Sequence, residues 1–238
     1  MAMNYAIIAA GNGSRLSGEG IACPKPLVEL DGRPMIGRLV DIFVANDAGS
    51  ISVIVNESMP EVARYLATAR CPVPLNVVCA STPSSMHSLH RLAPLIPNGK
   101  FILTTVDTVF SEALFAQYAA AFEADDTCDG FMAVTGYIDD EKPLYVRTGD
   151  DGMITAFTDE PFEGVKYVSG GIYGLKSPQA TEILADCVAA GEQRLRNFQR
   201  ALISRGCRLK AWPMGRIIDV DHAGDIAKAR AKINEYSK

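Results

Sequence analysis

The chain carries no Cys-x-x-Cys pair and no cysteine with a histidine at zinc-finger spacing, although cysteines stand at positions 23, 71, 79, 128, 187 and 207. Disulfide scaffolds and structural zinc sites both depend on such spacings, so neither is expected, and a reduced, cytoplasmic setting is. No segment approaches the roughly 20 apolar residues that cross a bilayer. The apolar stretch 5–10 is short and has no basic residues ahead of it, unlike a secretory leader. Positive charge is not in excess either. Lys and Arg number 23 against 28 Asp and Glu, leaving a net charge of −5, which argues against non-specific nucleic-acid binding. An anionic ligand must then be held by a few placed groups rather than by a general basic field. Repeats, low-complexity tracts and long Pro/Gly/Ser linkers are also missing. What remains is an ordinary globular composition, 48% hydrophobic and 21% charged over 238 residues, long enough to bury a core without covalent staples.

Short apolar runs alternate with helix-like stretches through the first half. Strands are expected over 5–9, 52–55, 75–79 and 101–106. Helices are expected over 35–45, 60–69, 87–95 and 112–123. That alternation predicts an α/β fold, a Rossmann-like, mainly parallel sheet with helices on both faces. From 130 to 175 the pattern turns strand-like, with runs at 131–135, 144–147, 154–158 and 172–175 and an Asp150-Asp151-Gly152 turn between two of them. Helices follow over 178–190 and 195–205, then a strand at 209–212 and a closing helix over 225–234. No composition shift marks a hinge. The expected organisation is one domain over 1–238, with a nucleotide-binding half (1–128) and an acceptor-binding half (129–238) that begins with the β-rich insertion.

Directly after the first strand comes Ala9-Ala10-Gly11-Asn12-Gly13-Ser14-Arg15. In an open parallel sheet ligands bind beyond the carboxyl ends of strands, and glycines let backbone amides approach an anion closely. A dinucleotide fingerprint fails because Leu16 stands where its third glycine belongs, and a P-loop fails because no Gly-Lys-Ser/Thr occurs. A turn without a ligand remains open for this loop taken alone. Its combination with Pro24-Lys25-Pro26-Leu27 favours a polyphosphate site, since flanking prolines present the Lys25 amine on a stiff loop.

These two segments together, with Val28-Glu29-Leu30-Asp31-Gly32-Arg33-Pro34 following, resemble the opening signature of the nucleotidyltransferases that make NDP-sugars. The resemblance implies a GT-A-like nucleotidyltransferase fold and a reaction that joins an NTP to a phosphorylated acceptor, a sugar 1-phosphate foremost, with release of pyrophosphate. It implies catalytic roles for Arg15 and Lys25, and nucleotide contacts from Ala10, Gly11, Asn12, Gly13 and Ser14. Ser84 and Ser85 fall where the family reads the base. Mg²⁺ is the implied cofactor, and the implied partners are the two small-molecule substrates, with no nucleic acid and no membrane; room is left for a homo-oligomer.

A metal needs carboxylates. Asp107 ends the strand at 101–106, where capping of the next helix is the competing role. The family places a metal aspartate there, and a second at the position that Asp219 matches, with Asp225 at the start of the closing helix. Asp219-Val220-Asp221 also spells the Asp-x-Asp of metal-dependent glycosyltransferases, but it comes late in the chain for that role. His87 and His90 have no carboxylate near them in sequence and are expected to be ordinary helix positions.

On the acceptor side, residues 150–161 resemble the family stretch that ends in Glu-Lys-Pro, with Asp159 in place of the glutamate and Glu160 in place of the lysine. Glu141-Lys142-Pro143 spells the motif but precedes the Asp-Gly turn, and is read as a coincidence. Lys166 is the expected source of the missing positive charge, and Ser169 and Gly171 are expected to line the acceptor. Alternatives within reach are a cytidylyltransferase acting on phosphocholine or another non-sugar phosphate, a glycosyltransferase of GT-A type, and a nucleotide sensor without catalysis.

Overall fold

The computed structural model describes residues 2–139 and 141–236. The elements run β1 (Met3–Ala9), α1 (Ser14–Gly18), β2 (Glu29–Leu30), β3 (Arg33–Pro34), α2 (Met35–Ala45), β4 (Ala48–Val55), α3 (Pro60–Thr68), β5 (Leu75–Cys79) and α4 (Ser85–Leu92). They continue as β6 (Gly99–Thr105), β7 (Thr108–Val109), α5 (Glu112–Ala124), β8 (Gly130–Thr135), β9 (Tyr145–Thr148) and β10 (Ile154–Thr158). The last are β11 (Tyr167–Ser177), α6 (Gln179–Ala189), α7 (Leu195–Ser204), β12 (Leu209–Pro213), β13 (Ile218–Asp219) and α8 (Ala223–Tyr236).

One nine-stranded sheet organises the molecule, in the order β10-β9-β11-β6-β1-β4-β5, with β8 paired to β11 and β12 to β8. β6, β1, β4 and β5 are parallel, as crossover helices between consecutive strands require. The β-rich insertion joins through β11, antiparallel to β6, β8 and β9. All six cysteines are unpaired, and no helix among the described residues is long and apolar enough to cross a membrane.

Side chains on β1 alternate between the two faces, and each face feeds its own core. Tyr5, Ile7 and Ala9 pack with α2, α3 and α5, while Ala6, Ile8 and Ala10 pack with α4, α6 and α7. The first core is aromatic: Tyr5 stacks on Phe43 with centroids 4.3 Å apart, Phe110 on Phe115 at 5.0 Å, and Phe131 on Trp212 at 5.5 Å. A third cluster joins distant parts of the chain. Leu16 of α1, Val28, Leu30 and Met35 pack against Val109, Ile218, Val220 and the Ile226, Ala229 and Ile233 face of α8. Burial of that patch holds the first loop and the final strand together, at the carboxyl edge of the parallel strands.

Candidate active site

β1 ends in the glycine loop, and Asn56 at the end of β4 fixes the loop's course. The buried Asn56 amide donates to Ala10 O at 2.9 Å and to Asn12 Oδ1 at 2.8 Å. Its oxygen accepts from Ser58 N at 2.9 Å, Ser58 Oγ at 2.8 Å and Ser81 Oγ at 3.2 Å. One side chain thus ties together three loops. Gly13 adopts φ 59°, and a Cβ there would lie 3.1 Å from Lys25 Cβ, so glycine serves both the backbone turn and the approach of the lysine. Lys25 opens a short 3₁₀ turn, Lys25–Leu27, directly after Pro24.

The acids arrive from the other end of the chain. β13 pairs antiparallel with β7, setting Asp219 opposite Thr108, and Val220 N donates to Asp107 O at 3.1 Å. Lys25 Nζ then bridges Asp107 Oδ2 at 2.5 Å and Asp221 Oδ1 at 2.6 Å, and Arg15 reaches Asp221 Oδ2 at 2.8 Å. Burial alone would lower the Lys25 pKa, but the two carboxylates outweigh it and hold the ammonium above its ordinary value. Asp107 goes the other way: burial would raise it, and Lys25 together with the Thr105 hydroxyl keeps it below the usual carboxylate range. Asp219 has no such cation in contact. The surrounding protein mass, then repulsion from Asp107 and Asp221, push it up to about 7. Asp219 nevertheless presents surface to the open cleft, so water tempers the effect.

Two adjoining clefts meet at these charges. The first, about 440 Å³, is lined by residues 8–15, Lys25, Thr82, Ser84, Ser85, Ser88, Asp107 and Asp221. The second, about 430 Å³, shares Arg15, Asp107 and Asp221 and adds Lys142, Ser169, Gly171, Tyr173, Arg194, Gln199 and Asp219. The structure therefore gathers Arg15, Lys25, Asp107 and Asp219 with Ala10, Gly11, Asn12, Gly13, Ser14, Ser84 and Ser85 around one space. Ser169 and Gly171 join them across it. Gly171 has φ 74° at an irregularity in the β11–β8 pairing, where a Cβ would meet Thr108 Oγ1 at 2.9 Å, so the strand can pass this close only with glycine.

Asp159 and Lys166 line neither cleft. Asp159 is taken up by Arg196 at 2.5 Å and Arg200 at 2.7 Å, both from α7, and Lys166 is exposed ahead of β11. The cations facing the second cleft, besides Arg15, are instead Lys142, Arg194 and Arg196. Lys142 belongs to the Glu141-Lys142-Pro143 triplet read as a coincidence. Capping does not occupy Asp107, because Ser111 Oγ accepts from Leu114 N at the start of α5. Asp225 does act at a helix start, accepting from His222 N at 2.9 Å. His87 bonds Ser84 Oγ at 3.0 Å, an ordinary helix contact. Asp221, the residue that joins both cations, is absent from the sequence-derived set; its signal was the Asp-x-Asp spacing.

Among the described residues no set of three or more His, Cys, Asp or Glu forms a self-sufficient metal site. Mg²⁺ does not require one, since it is commonly held by one or two carboxylates and completed by substrate phosphates and water. Asp107, Asp219 and Asp221 converge where the two clefts meet; Asp107 and Asp221 have Lys25 or Arg15 in contact, and Asp219 has neither. That donor set, hard carboxylate oxygens, fits a divalent ion of this kind.

Comparison with known proteins bears on this arrangement directly. The model of the MobA-like NTP transferase domain matches residues 5–203, from β1 through most of α7. The chain belongs to this family. Over 156 residues it is 26% identical to the CMP-5'-(3-aminopropyl)phosphonate synthase of Streptomyces rubellomurinus; the match covers 65% of this chain and 24% of that protein, so the chain spans about a quarter of the relative's length. Among solved structures, the inositol-1-phosphate CTP transferase from T. maritima superposes with a TM-score of 0.78 at 19% identity, over 99% of this chain and 98% of that one. A UDP-glucose pyrophosphorylase complexed with UDP-glucose gives 0.80 at 17% identity, over 99% of each. At these identities the likeness is one of fold, and it agrees with the Rossmann-like, GT-A-like architecture expected of the family.

Proposed function

We propose that the chain transfers a nucleoside monophosphate from an NTP to a phosphorylated small-molecule acceptor, a sugar 1-phosphate foremost, and releases pyrophosphate. The observation that carries this reading is the charge cluster: Lys25 between Asp107 and Asp221, with Arg15 on Asp221, at the mouth of a glycine loop. Backbone amides of residues 10–14 face the polyphosphate, and Thr82, Ser84, Ser85 and Ser88 face the base. Residues 1–128 supply most of this nucleotide side, and 129–238 supply the acceptor side together with Asp219 and Asp221. On binding, Arg15 and Lys25 exchange carboxylate oxygens for phosphate oxygens.

An acceptor phosphate oxygen attacks the α-phosphorus; the bond from that phosphorus to the bridging oxygen breaks, and the electron pair leaves with pyrophosphate. A phosphate dianion needs no general base, so catalysis rests on alignment and charge stabilisation. Lys25, held rigidly between prolines, stabilises the charge that develops around the α-phosphate, and Arg15 that on the leaving group. Asp107 and Asp219 would hold Mg²⁺, which supplies charge neutralisation of the triphosphate.

The test is a panel of the four NTPs against several phosphorylated acceptors with Mg²⁺, read as pyrophosphate. Lys25→Ala and Asp107→Ala should keep the wild-type circular dichroism and lose about 10²–10³-fold in turnover, as loss of one preorganised charge does. Wild-type release from either rejects the assignment. A second reading, cytidylyl transfer to a phosphonate or other non-sugar phosphate, is supported by two relatives whose names carry CMP or CTP; the CTP arm of the panel decides it.

A further inference from the structure

The charges along the second cleft are unevenly satisfied. At its nucleotide end, Arg15 already has a carboxylate, Asp221. At its far end, Arg196 shares Asp159 with Arg200, and Asp159 does not line the cleft. Arg194, immediately before α7, lines the cleft and has no carboxylate partner among the described residues. Exposed arginines without partners are common, so this alone decides little.

Gln199 supplies the independent observation. It lies within α7, only 3% exposed, and yet is part of the cleft lining. Its amide oxygen accepts the Ser169 hydroxyl at 3.0 Å, while its amide nitrogen finds no partner among the described residues. That nitrogen is not among the sealed, unsatisfied atoms of the interior, so it opens on the cleft. Exchanging the amide's oxygen and nitrogen changes nothing, because one polar atom is left over either way. Buried amides are normally fully bonded, and one with a spare group facing a cleft is arranged for a ligand's polar group. The acids along this cleft, among the described residues, are Asp107, Asp219 and Asp221, all at the reacting end. At the Arg194 end, an ammonium group on the acceptor's body would therefore meet Lys142, Arg194 and Arg196 and none of these acids.

Resting on the nucleotidyl-transfer reading above, we propose that Arg194 and Gln199 form the acceptor subsite, and that it selects a hydroxylated phosphate or phosphonate with no ammonium group. Arg194 takes the acceptor's anionic group, supplying from α7 the positive charge that Glu160 withholds. The Gln199 amide takes a hydroxyl of the acceptor's body, and Ser169 fixes the amide's orientation. Arg194 is thus a contact residue, and Ser169 acts through Gln199 as a positioning residue.

The experiment pairs steady-state pyrophosphate release with calorimetric binding of glucose 1-phosphate, inositol 1-phosphate and glycerol 3-phosphate to the full chain. Arg194→Ala should weaken acceptor binding and raise the acceptor KM by about 10- to 100-fold, the range for a charged hydrogen bond, with the NTP KM within about twofold of wild type. Arg194→Lys should recover part of the loss. Gln199→Leu, checked for fold by circular dichroism and by an unchanged NTP KM, should cost about tenfold with the hydroxylated acceptors. Unchanged acceptor binding in Arg194→Ala overturns the inference. So does wild-type protein that binds none of the three probes, or that prefers phosphocholine or 3-aminopropylphosphonate to them. Failure of every NTP and acceptor pair to release pyrophosphate sinks the transfer reading instead, and calorimetry still decides the subsite.

Discussion

Asparagine at position 219 keeps the shape of the side chain and removes one of three negative charges that face each other in the cleft. The native carboxyl is raised from an ordinary 3.8 to about 7, by the protein mass around it and then by Asp107 and Asp221. A carboxyl that holds its proton more tightly in the folded state penalises folding once the solution pH exceeds its unfolded value. The penalty grows between about pH 4 and pH 7 and is constant above that. A rise of this size corresponds to at most about 4 kcal/mol. Because Asp219 is exposed to the cleft, screening by solvent brings the expected figure to about 1–2 kcal/mol. Asp219→Asn should then raise Tm in EDTA at pH 8 by roughly 2–8 °C for a chain of this size. At pH 4, close to the unfolded value, most of the penalty has vanished and less than half of the gain should survive. Pyrophosphate release should fall in the same variant, the usual conflict between stability and a charged active site. Added Mg²⁺ should raise the Tm of wild type and leave the variant unmoved. Scanning calorimetry at the two pH values decides the matter: an equal gain at both, or a loss at pH 8, refutes the reasoning.

Asn56→Ala strands the loop contacts to Ala10 and Asn12 and should cost about 1–3 kcal/mol in urea denaturation. Its NTP KM should rise more than its acceptor KM, because the loop it releases faces the nucleotide. His222 is held above its ordinary pKa first by its hydrogen bond to Glu19, whose other oxygen accepts from Ala223 N at 2.6 Å. NMR titration of the ring should show the pKa falling toward 6.5 in Glu19→Gln, and an unchanged midpoint would remove Glu19 as the cause.

The parallel half of the sheet was legible because its strands are continuous apolar runs and its helices keep a helical period. Residues 35–45 and 75–79 fall where the pattern puts them. Most of β11 was not, because Gly170 and Gly171 interrupt the apolar run and only 172–175 reads as strand, although the strand extends over Tyr167–Ser177. The two-residue strands β7 and β13 have no local signal at all; they exist because the hydrophobic cluster under α8 presses the two segments together. The same limit applies to the site. Arg15, Lys25, Asp107 and Asp219 announce themselves through strand ends and motif spacing, whereas Asp221, Lys142 and Arg194 owe their position to how distant segments pack. Chain order argues against the Lys142 triplet, yet the antiparallel turnback of β9 and β11 carries it to the cleft.

The contact between Arg15 and Asp221 spans 206 positions of chain, and that between Lys25 and Asp221 spans 196. The strand that delivers Asp219 and Asp221 is only two residues long; it pairs with the equally short β7 and packs under α8. Peeling that helix away would leave the nine-stranded sheet standing and take two of the three acids out of reach of the loop. Competence thus depends on a short margin outside the main sheet, and it should disappear at lower denaturant than the spectroscopic signal of the sheet.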